Sequence, residues 1–336
     1  MMMNLVPLKE WFLEEGRDLP WRKSKTPYRV WISEVMLQQT QASVAAAYFE
    51  RWMQKFPTLA VLARASQEEV IKAWEGLGYY SRARNVHAAA IAIKDLHEGE
   101  LPADPEKLAS LKGFGPYTVG AVLSFAFGKR AAAVDGNVVR VLSRLMASEV
   151  DAANRKFYHD LAQQLLPQED APQVMEGLIE LGALICQKRP KCRQCPLQDQ
   201  CKAYSQGIAG ELPRKKKRAT ITSLLRDVAI IFCEGMVLLR QEKEGRIMGG
   251  LYEFPFVERG RGFSFDLSLE KVGELPCVKH SFTRYRATLF PQVFRTQAQR
   301  EVENHNWVPW SQVDALPFSS GHRRIWIRLK DENFTH

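Results

Sequence analysis

The chain has 336 residues, 46% hydrophobic and 25% charged, with 47 Lys and Arg against 38 Asp and Glu for a net charge of +9. This length predicts two domains, each able to bury its own core, and the composition is that of an ordinary soluble protein with no apolar run long enough to span a bilayer. The basic excess points to nucleic acid or an anionic surface as partner, and the start, MMMNLVPLKEW, is too soon interrupted for a secretory signal, so the cytoplasm is the expected compartment.

Residues 1 to about 205 read as helical. Thr26-Pro27 supplies an N-cap and a proline at the first helical position. Amphipathic stretches follow at 42–54, 67–75, 83–97, 116–127, 137–147, 154–166 and 173–185, with no strand-like alternation between them. WISEVMLQQTQ sets Glu34 on the face that carries Val30, Trp31 and Leu37. A charge on such a face needs a partner. Either an arginine such as Arg22 pairs with it, or it is a desolvated carboxylic acid ready to donate a proton. GLGYYSRARN, residues 76–85, interleaves aromatics with arginines. That pattern suits packing beside a solvated face, and equally base stacking beside phosphate contacts.

LKGFGPYTVGAV, residues 111–122, is a turn opening a helix, with Gly113 and Gly115 free to take positive φ and Pro116 near the helix start. Its N–H groups and helix dipole suit one phosphate; a plain helix–turn–helix connection is the alternative. No strand precedes it, which excludes a dinucleotide-binding turn, and the pattern matches the helix–hairpin–helix that grips DNA backbone without reading sequence. In AAAVDGNVVRVLSRL, residues 131–145, Asp135 precedes an apolar stripe of Val138, Val141, Leu142 and Leu145. The residue reads as an N-cap; the alternative, for which the apolar run before it argues, is a carboxylate at the mouth of a buried cleft.

ELGALICQKRPKCRQCPLQDQC, residues 180–201, carries Cys186, Cys192, Cys195 and Cys201 at intervals of five, two and five residues. Four thiols so close can converge on one centre. Zinc sites usually use two paired knuckles, and only one CxxC occurs here. An iron–sulfur cluster accepts single flanking thiolates, so a cluster is the leading reading, with zinc and free thiols as alternatives. Cys233 and Cys277 are expected to be buried core thiols.

The basic run in ELPRKKKR, residues 211–218, marks a linker with phosphate contact as a second use. Strand signals follow. LLRDVAIIFCEG and MVLLRQ flank a glycine turn as a hairpin would, and GGLYEFPF, SFTRYRATLFPQVFRT and ENHNWVPW are rich in β-formers. Only 318–330 reads as helix. The predicted fold class is multi-domain α and α+β: an all-α domain at 1–205 containing the cysteine loop 186–201, a basic linker at 206–221, and an α/β domain at 222–336.

LPWR, WISEVMLQQTQ, GLGYYSRARN, the hairpin, VDGNVVRV and the four-cysteine loop resemble, in this order, the adenine DNA glycosylases of the MutY type. The resemblance covers nearly the whole chain. It implies a helix–hairpin–helix glycosylase domain with a [4Fe–4S] cluster on the four cysteines, and a Nudix-like C-terminal domain that reads the lesion. It also implies a monomeric, monofunctional enzyme of base excision repair that removes adenine opposite 8-oxoguanine or guanine in double-stranded DNA. By the same resemblance Glu34 is the acid that protonates adenine N7 and Asp135 the carboxylate facing the deoxyribose C1′. Tyr117 and Asn137 support this pair. Trp21, Arg22, Leu37 and Glu180 line the adenine pocket, and Gln39 and Tyr79 wedge into the helix. Gly113 and Gly115 hold the backbone, while His280, Phe282 and Thr283 lie in the lesion-reading segment. In the related endonuclease III type the position of Tyr117 holds a lysine, whose amine forms a Schiff base that a phenol cannot form. A bifunctional glycosylase/lyase and a non-enzymatic damage-binding protein are the competing readings.

Three features depart from the family pattern. The first cysteine interval is five residues where six is usual. GGLYEFPF is not followed by the glutamate-bearing helix of Nudix hydrolases. The lesion-sensing motif ends in Arg284 where histidine is usual.

Overall fold

The computed structural model describes residues 3–214, 221–243, 248–282 and 284–332. They form two compact units, Met1–Arg64 with Asn85–Lys217, and Ala65–Arg84 with Arg218–His336. The grouping of 65–84 with the C-terminal residues differs from the linear division expected from sequence. So does the segment 206–214: Ala209 and Leu212 pack with Ala203, and the Leu212 carbonyl accepts from Arg144 Nε at 3.0 Å. It is part of the helical unit. Of the rest of the expected linker, 215–220 lie outside the described residues and Ile221 is exposed.

The helical unit is built around Gly136–Leu145 and Ala171–Leu184. Val138, Val141, Leu142 and Leu145 are all buried, against Val174, Met175, Leu178 and Leu181. Each such side chain removed from water contributes roughly 1.5–3 kcal/mol. Pro27–Leu37 starts where expected, with the Thr26 side chain accepting from Arg29 N. The helix expected over 116–127 is α-helical only over Pro116–Ala121 and continues as a π-helical turn, Val122–Ala126. That turn packs against Pro27–Leu37 and Ala171–Leu184. Side-chain periodicity does not reveal such an insertion.

Among the described residues the second unit carries a mixed sheet of eight strands: β1 Thr222–Cys233, β2 Met236–Gln241, β3 Tyr252–Glu253, β4 Phe256–Glu258, β5 Glu270–Glu274, β6 Val278–Phe282, β7 Tyr285–Arg295 and β8 Asn306–Pro309. The order is β3-β2-β1-β7-β5, with β4 also on β1, β6 on β7 and β8 on β2. β1 and β7 run parallel, in register from Thr222↔Tyr285 to Phe232↔Arg295, and the other pairs are antiparallel. The β1–β2 hairpin turns through Glu234 and Gly235 at φ 47° and 74°, the left-handed pair a two-residue turn needs. Alternate β1 residues face opposite sides. Val228 and Ile230 pack under the helix Ser320–Asp331, while Ala229 and Ile231 meet Phe263, Phe265 and Leu267. Burial on both faces explains the continuous apolar run in that strand. Residues 259–269, after β4, contain no helix. Cys233 is buried as expected; Cys277 is exposed, because it falls in the loop between β5 and β6.

Candidate active site

A cleft of about 1010 Å³ opens in the helical unit and is lined by Trp21, Arg22, Glu34, Leu37, Gln39, Tyr117, Asp135, Asn137 and Glu180, among others. Nine residues singled out from sequence, drawn from five helices, one cap and one turn, thus share one concavity.

Glu34 is only 6% exposed. The Tyr117 hydroxyl donates to its Oε2 at 2.5 Å, which leaves Oε1 as the oxygen able to carry a proton. Burial pushes the Glu34 carboxyl up to about 7, and the bond from Tyr117 only partly offsets this. The guanidinium of Arg22, a partner considered for Glu34 from sequence, is engaged elsewhere. It donates to Glu180 Oε2 at 3.0 Å and sits 3.7 Å from Glu176. Glu180 is fully buried, and Arg17 holds it through Nε at 2.7 Å, Nη2 at 2.9 Å and its backbone N at 3.0 Å. Although burial acts against ionisation, these bonds and the Arg22 charge bring Glu180 down to about 2. One cleft therefore contains a carboxyl raised toward neutral pH and another that its arginines hold ionised there.

Asp135 fulfils both sequence readings. Its Oδ1 accepts from Asn137 N and Val138 N, each at 2.8 Å, capping Gly136–Leu145, and Oδ2 accepts from Asn137 Nδ2 at 2.8 Å. Burial raises its pKa against the pull of these donors and of Arg140. Asn137 is itself held: Arg140 Nη2 donates to its Oδ1 and to Gly182 O, both at 2.7 Å, while Arg140 Nε donates to Cys186 O at 2.7 Å. A Cβ on Gly182 would stand 2.6 Å from Asn137 Cβ, so only glycine lets this helix approach so closely. Sequence reading missed Arg17, Arg140 and Glu176. Arg140, three residues after Asn137, and Glu176, four before Glu180, each had a local signal on its own helix; Arg17 had none.

In the hairpin, Gly113 takes φ 87° and a Cβ there would meet Asn85 at 2.8 Å. Gly115 caps Pro116–Ala121 with φ −82°, so it is not there for a left-handed turn as the sequence suggested; the space a Cβ would fill is open. Trp31 stacks on Phe114 at 5.3 Å, fixing the hairpin to the helix that carries Glu34.

The cysteine loop also converges. Cys186, Cys192, Cys195 and Cys201 line one apolar pocket with Val141, Leu145 and Leu181. Cys186 sits just beyond Ala171–Leu184 with its N bonded to Leu181 O at 2.7 Å, and Lys191 N closes the short interval onto Ile185 O at 3.0 Å. The five-residue spacing therefore still delivers all four thiols. Arg144 Nη1 donates to Cys186 Sγ at 3.3 Å. Burial raises Cys192, Cys195 and Cys201, Cys195 to about 11. Among the described residues no three His, Cys, Asp or Glu side chains are grouped to hold a single metal ion.

The remaining sequence candidates lie in the second unit. Tyr79 is 43% exposed and, like Gln39, adopts a left-handed backbone, at φ 50° and 60° respectively. His280, expected among the DNA-contacting residues, is instead 7% exposed: its ring packs on Phe282 at 5.2 Å and under Gly321, and burial holds its pKa down at about 4. It supports Phe282 from inside the domain. Phe282 is half-buried against Tyr285, and Arg284 is exposed with Nη2 donating to the Tyr285 hydroxyl at 3.2 Å. Thr283 lies outside the described residues.

Residues 32–167 match the model of the HhH-GPD superfamily of base excision DNA repair proteins, and residues 227–328 match that of the NUDIX domain. The adenine DNA glycosylase of Rattus norvegicus is 44% identical over 402 residues, spanning 97% of this chain and 77% of that one. The chain belongs to the adenine DNA glycosylase family. The adenine DNA glycosylase of Buchnera aphidicola subsp. Baizongia pistaciae is 29% identical over 96% of this chain and 90% of its own. Among solved structures, a thermostable thymine-DNA glycosylase aligns at TM-score 0.56 and 29% identity over 60% of this chain and 95% of that one. A trapped endonuclease III–DNA covalent intermediate aligns at 0.53 and 25% over 61% and 95%. The molecule is thus an adenine DNA glycosylase of base excision repair, with an endonuclease III-like helical domain and a Nudix-like C-terminal domain, and DNA is its partner.

Proposed function

We propose that this glycosylase, acting as a monomer, removes adenine mispaired with 8-oxoguanine or guanine in duplex DNA, and does so without a lyase step. The observation that carries the reading is the pairing of Glu34, bonded to Tyr117 and poised near neutrality, with Asp135 in the same cleft. Once the base is flipped out, at a cost of a few kcal/mol, protonated Glu34 gives its proton to adenine N7. The N-glycosidic electron pair leaves with the base. The resulting cationic sugar faces the Asp135 carboxylate, held in place by Asn137, and water adds at C1′, returning a proton to Glu34. One carboxyl acts as acid and one as anion, the division of labour seen in glycosidases generally.

Strand cleavage through a Schiff base would need a free amine. Tyr117 is a phenol, and Lys25, the only lysine among the described residues lining the cleft, is paired with Glu176 at 2.6 Å. In a single-turnover assay on an 8-oxoG·A duplex, product strands should therefore appear only after alkali. Cleavage without alkali, or a borohydride-trapped covalent adduct, would establish the bifunctional reading instead.

For the four cysteines we infer a [4Fe–4S] cluster. The donor set is all thiol and lines one apolar pocket, and four thiolates are the ligand set of a cubane. Bound there, the cluster would cross-link the basic loop covalently. Protein purified anaerobically should be brown and contain about four irons per chain; stoichiometric zinc without iron would overturn the assignment. The lesion itself we assign to the Phe282–Arg284 segment of the Nudix-like domain, where exposed Arg284 offers a charge beside the Tyr285 hydroxyl.

A further inference from the structure

The turn Gly76–Tyr80 carries Tyr79 at its tip, and three of its five residues, Gly76, Gly78 and Tyr79, have φ of 98°, 71° and 50°. A non-glycine residue in the left-handed region is strained and persists only when its surroundings over-determine it. Within the turn, Trp74 Nε1 donates to Gly78 O at 3.2 Å, and Arg82 Nη2 donates to Leu77 O and Gly78 O at 3.3 and 3.2 Å. The Arg82 guanidinium also lies 5.6 Å from the Tyr79 ring centre.

What holds this small assembly is the C-terminal domain, with which residues 65–84 form one compact unit. Glu75, immediately before the turn, accepts from Arg323 through both oxygens: Nε to Oε1 at 2.6 Å and Nη2 to Oε2 at 3.3 Å. Phe318 N reaches the same Oε1 at 3.4 Å, and Lys72 Nζ reaches Oε2 at 2.8 Å. Lys72 also bonds the carbonyls of Asp314 and Leu316, Tyr80 OH donates to Phe318 O at 3.5 Å, and Arg84 bonds Gly249 O. Only 15% of the Glu75 side chain and 16% of the Arg323 side chain are exposed. A bidentate, largely desolvated Arg–carboxylate pair is directional as well as strong.

We propose that Glu75 and Arg323 form a latch by which the Nudix-like domain positions the Tyr79 turn for insertion into the duplex. Both are positioning residues for base extrusion. The proposal rests on the reading of Tyr79 as a wedge and goes beyond it, since it gives the C-terminal domain a second role beside lesion recognition. Rigid presentation matters because each turn conformation unable to insert lowers the apparent affinity for the extruded state in proportion to its population.

The test uses the full chain and a duplex with 2-aminopurine beside the mispaired adenine, whose fluorescence reports loss of stacking. Glu75→Gln, Arg323→Met and the double variant should each lower the extrusion equilibrium by roughly tenfold, with the double variant no worse than either single, as coupled residues behave. Arg323→Lys, which keeps the charge without the fork, should lie between. Amides of 76–80 should exchange with deuterium faster in every latch variant, at unchanged far-UV spectrum. Tyr79→Ala is the control. If it removes the fluorescence signal while Glu75→Gln keeps it, the latch is refuted. If Tyr79→Ala leaves the signal intact, the wedge reading fails first and the latch with it.

Discussion

Glu34→Gln should abolish adenine excision and, at the same time, make the protein more stable above neutral pH. The amide is nearly isosteric and its oxygen can still accept from the Tyr117 hydroxyl, now held at 2.5 Å from Oε2. It has no proton to give. General acid catalysis is worth about 10²–10⁴-fold, so the single-turnover rate should fall by that much with binding of the mispaired duplex retained. For wild type, only the protonated form is the acid, so the rate should fall as pH rises through about 7.

The stability effect has the opposite sign from a salt-bridged carboxylate. The Glu34 pKa is raised from 4.5 to about 7 in the folded state, chiefly by burial. Between these values the folded protein binds more protons than the unfolded chain, so stability falls as pH rises. The contribution is fully present below 4.5 and is lost once pH passes about 7. The variant does not titrate there and escapes the loss. Its advantage over wild type should widen from pH ~5 to pH ~8, to on the order of 3 kcal/mol at one pKa unit per 1.36 kcal/mol. Denaturant unfolding at the two pH values measures it. A rate within threefold of wild type would remove Glu34 from the mechanism, and a constant stability gap would mean that its carboxyl is not buried as the acid.

The helices and the candidate residues along them were legible because each depends on local pattern. Glu34 stands out on an apolar face, Asp135 precedes a periodic stripe, and four cysteines crowd one loop. Partners across the chain were not legible. Arg22 looked available to Glu34 because the two are close in sequence, but Glu180, 158 residues away, takes its guanidinium. Arg17 gave no signal at all, since its meaning comes only from the fully buried carboxylate it neutralises. His280 was misread for a related reason. It neighbours the lesion-reading segment, but strand alternation in β6 turns it inward while Lys279 and Ser281 face solvent. The grouping of 65–84 with the C-terminal domain was equally invisible, because Glu75 and Arg323 lie 248 residues apart and neither sits in a recognisable motif.

Asp135→Asn should cost almost all activity and almost no stability, and the structure shows why the two effects separate. Asn caps helices as well as Asp does, so its Oδ1 can still accept from Asn137 N and Val138 N, the bonds now at 2.8 Å. The other side of the carboxylate is less forgiving. Asn137 Nδ2 donates to Asp135 Oδ2, and Asn137 cannot turn its amide over because Arg140 Nη2 donates to its oxygen at 2.7 Å. The variant would bring one NH₂ against another and lose one hydrogen bond, about 0.5–1.5 kcal/mol, against which it no longer desolvates a carboxylate. The melting temperature should therefore barely move. Activity should fall by at least the 10²–10³-fold typical of removing one group that stabilises developing charge, because a neutral amide cannot balance a cationic sugar. Asp135→Ala supplies the contrast, losing the charge and also the cap, at about 1 kcal/mol. Single-turnover rates and melting curves on both variants decide the matter. If Asp135→Asn excises adenine at near wild-type rate while Asp135→Ala is destabilised, Asp135 is a helix cap alone.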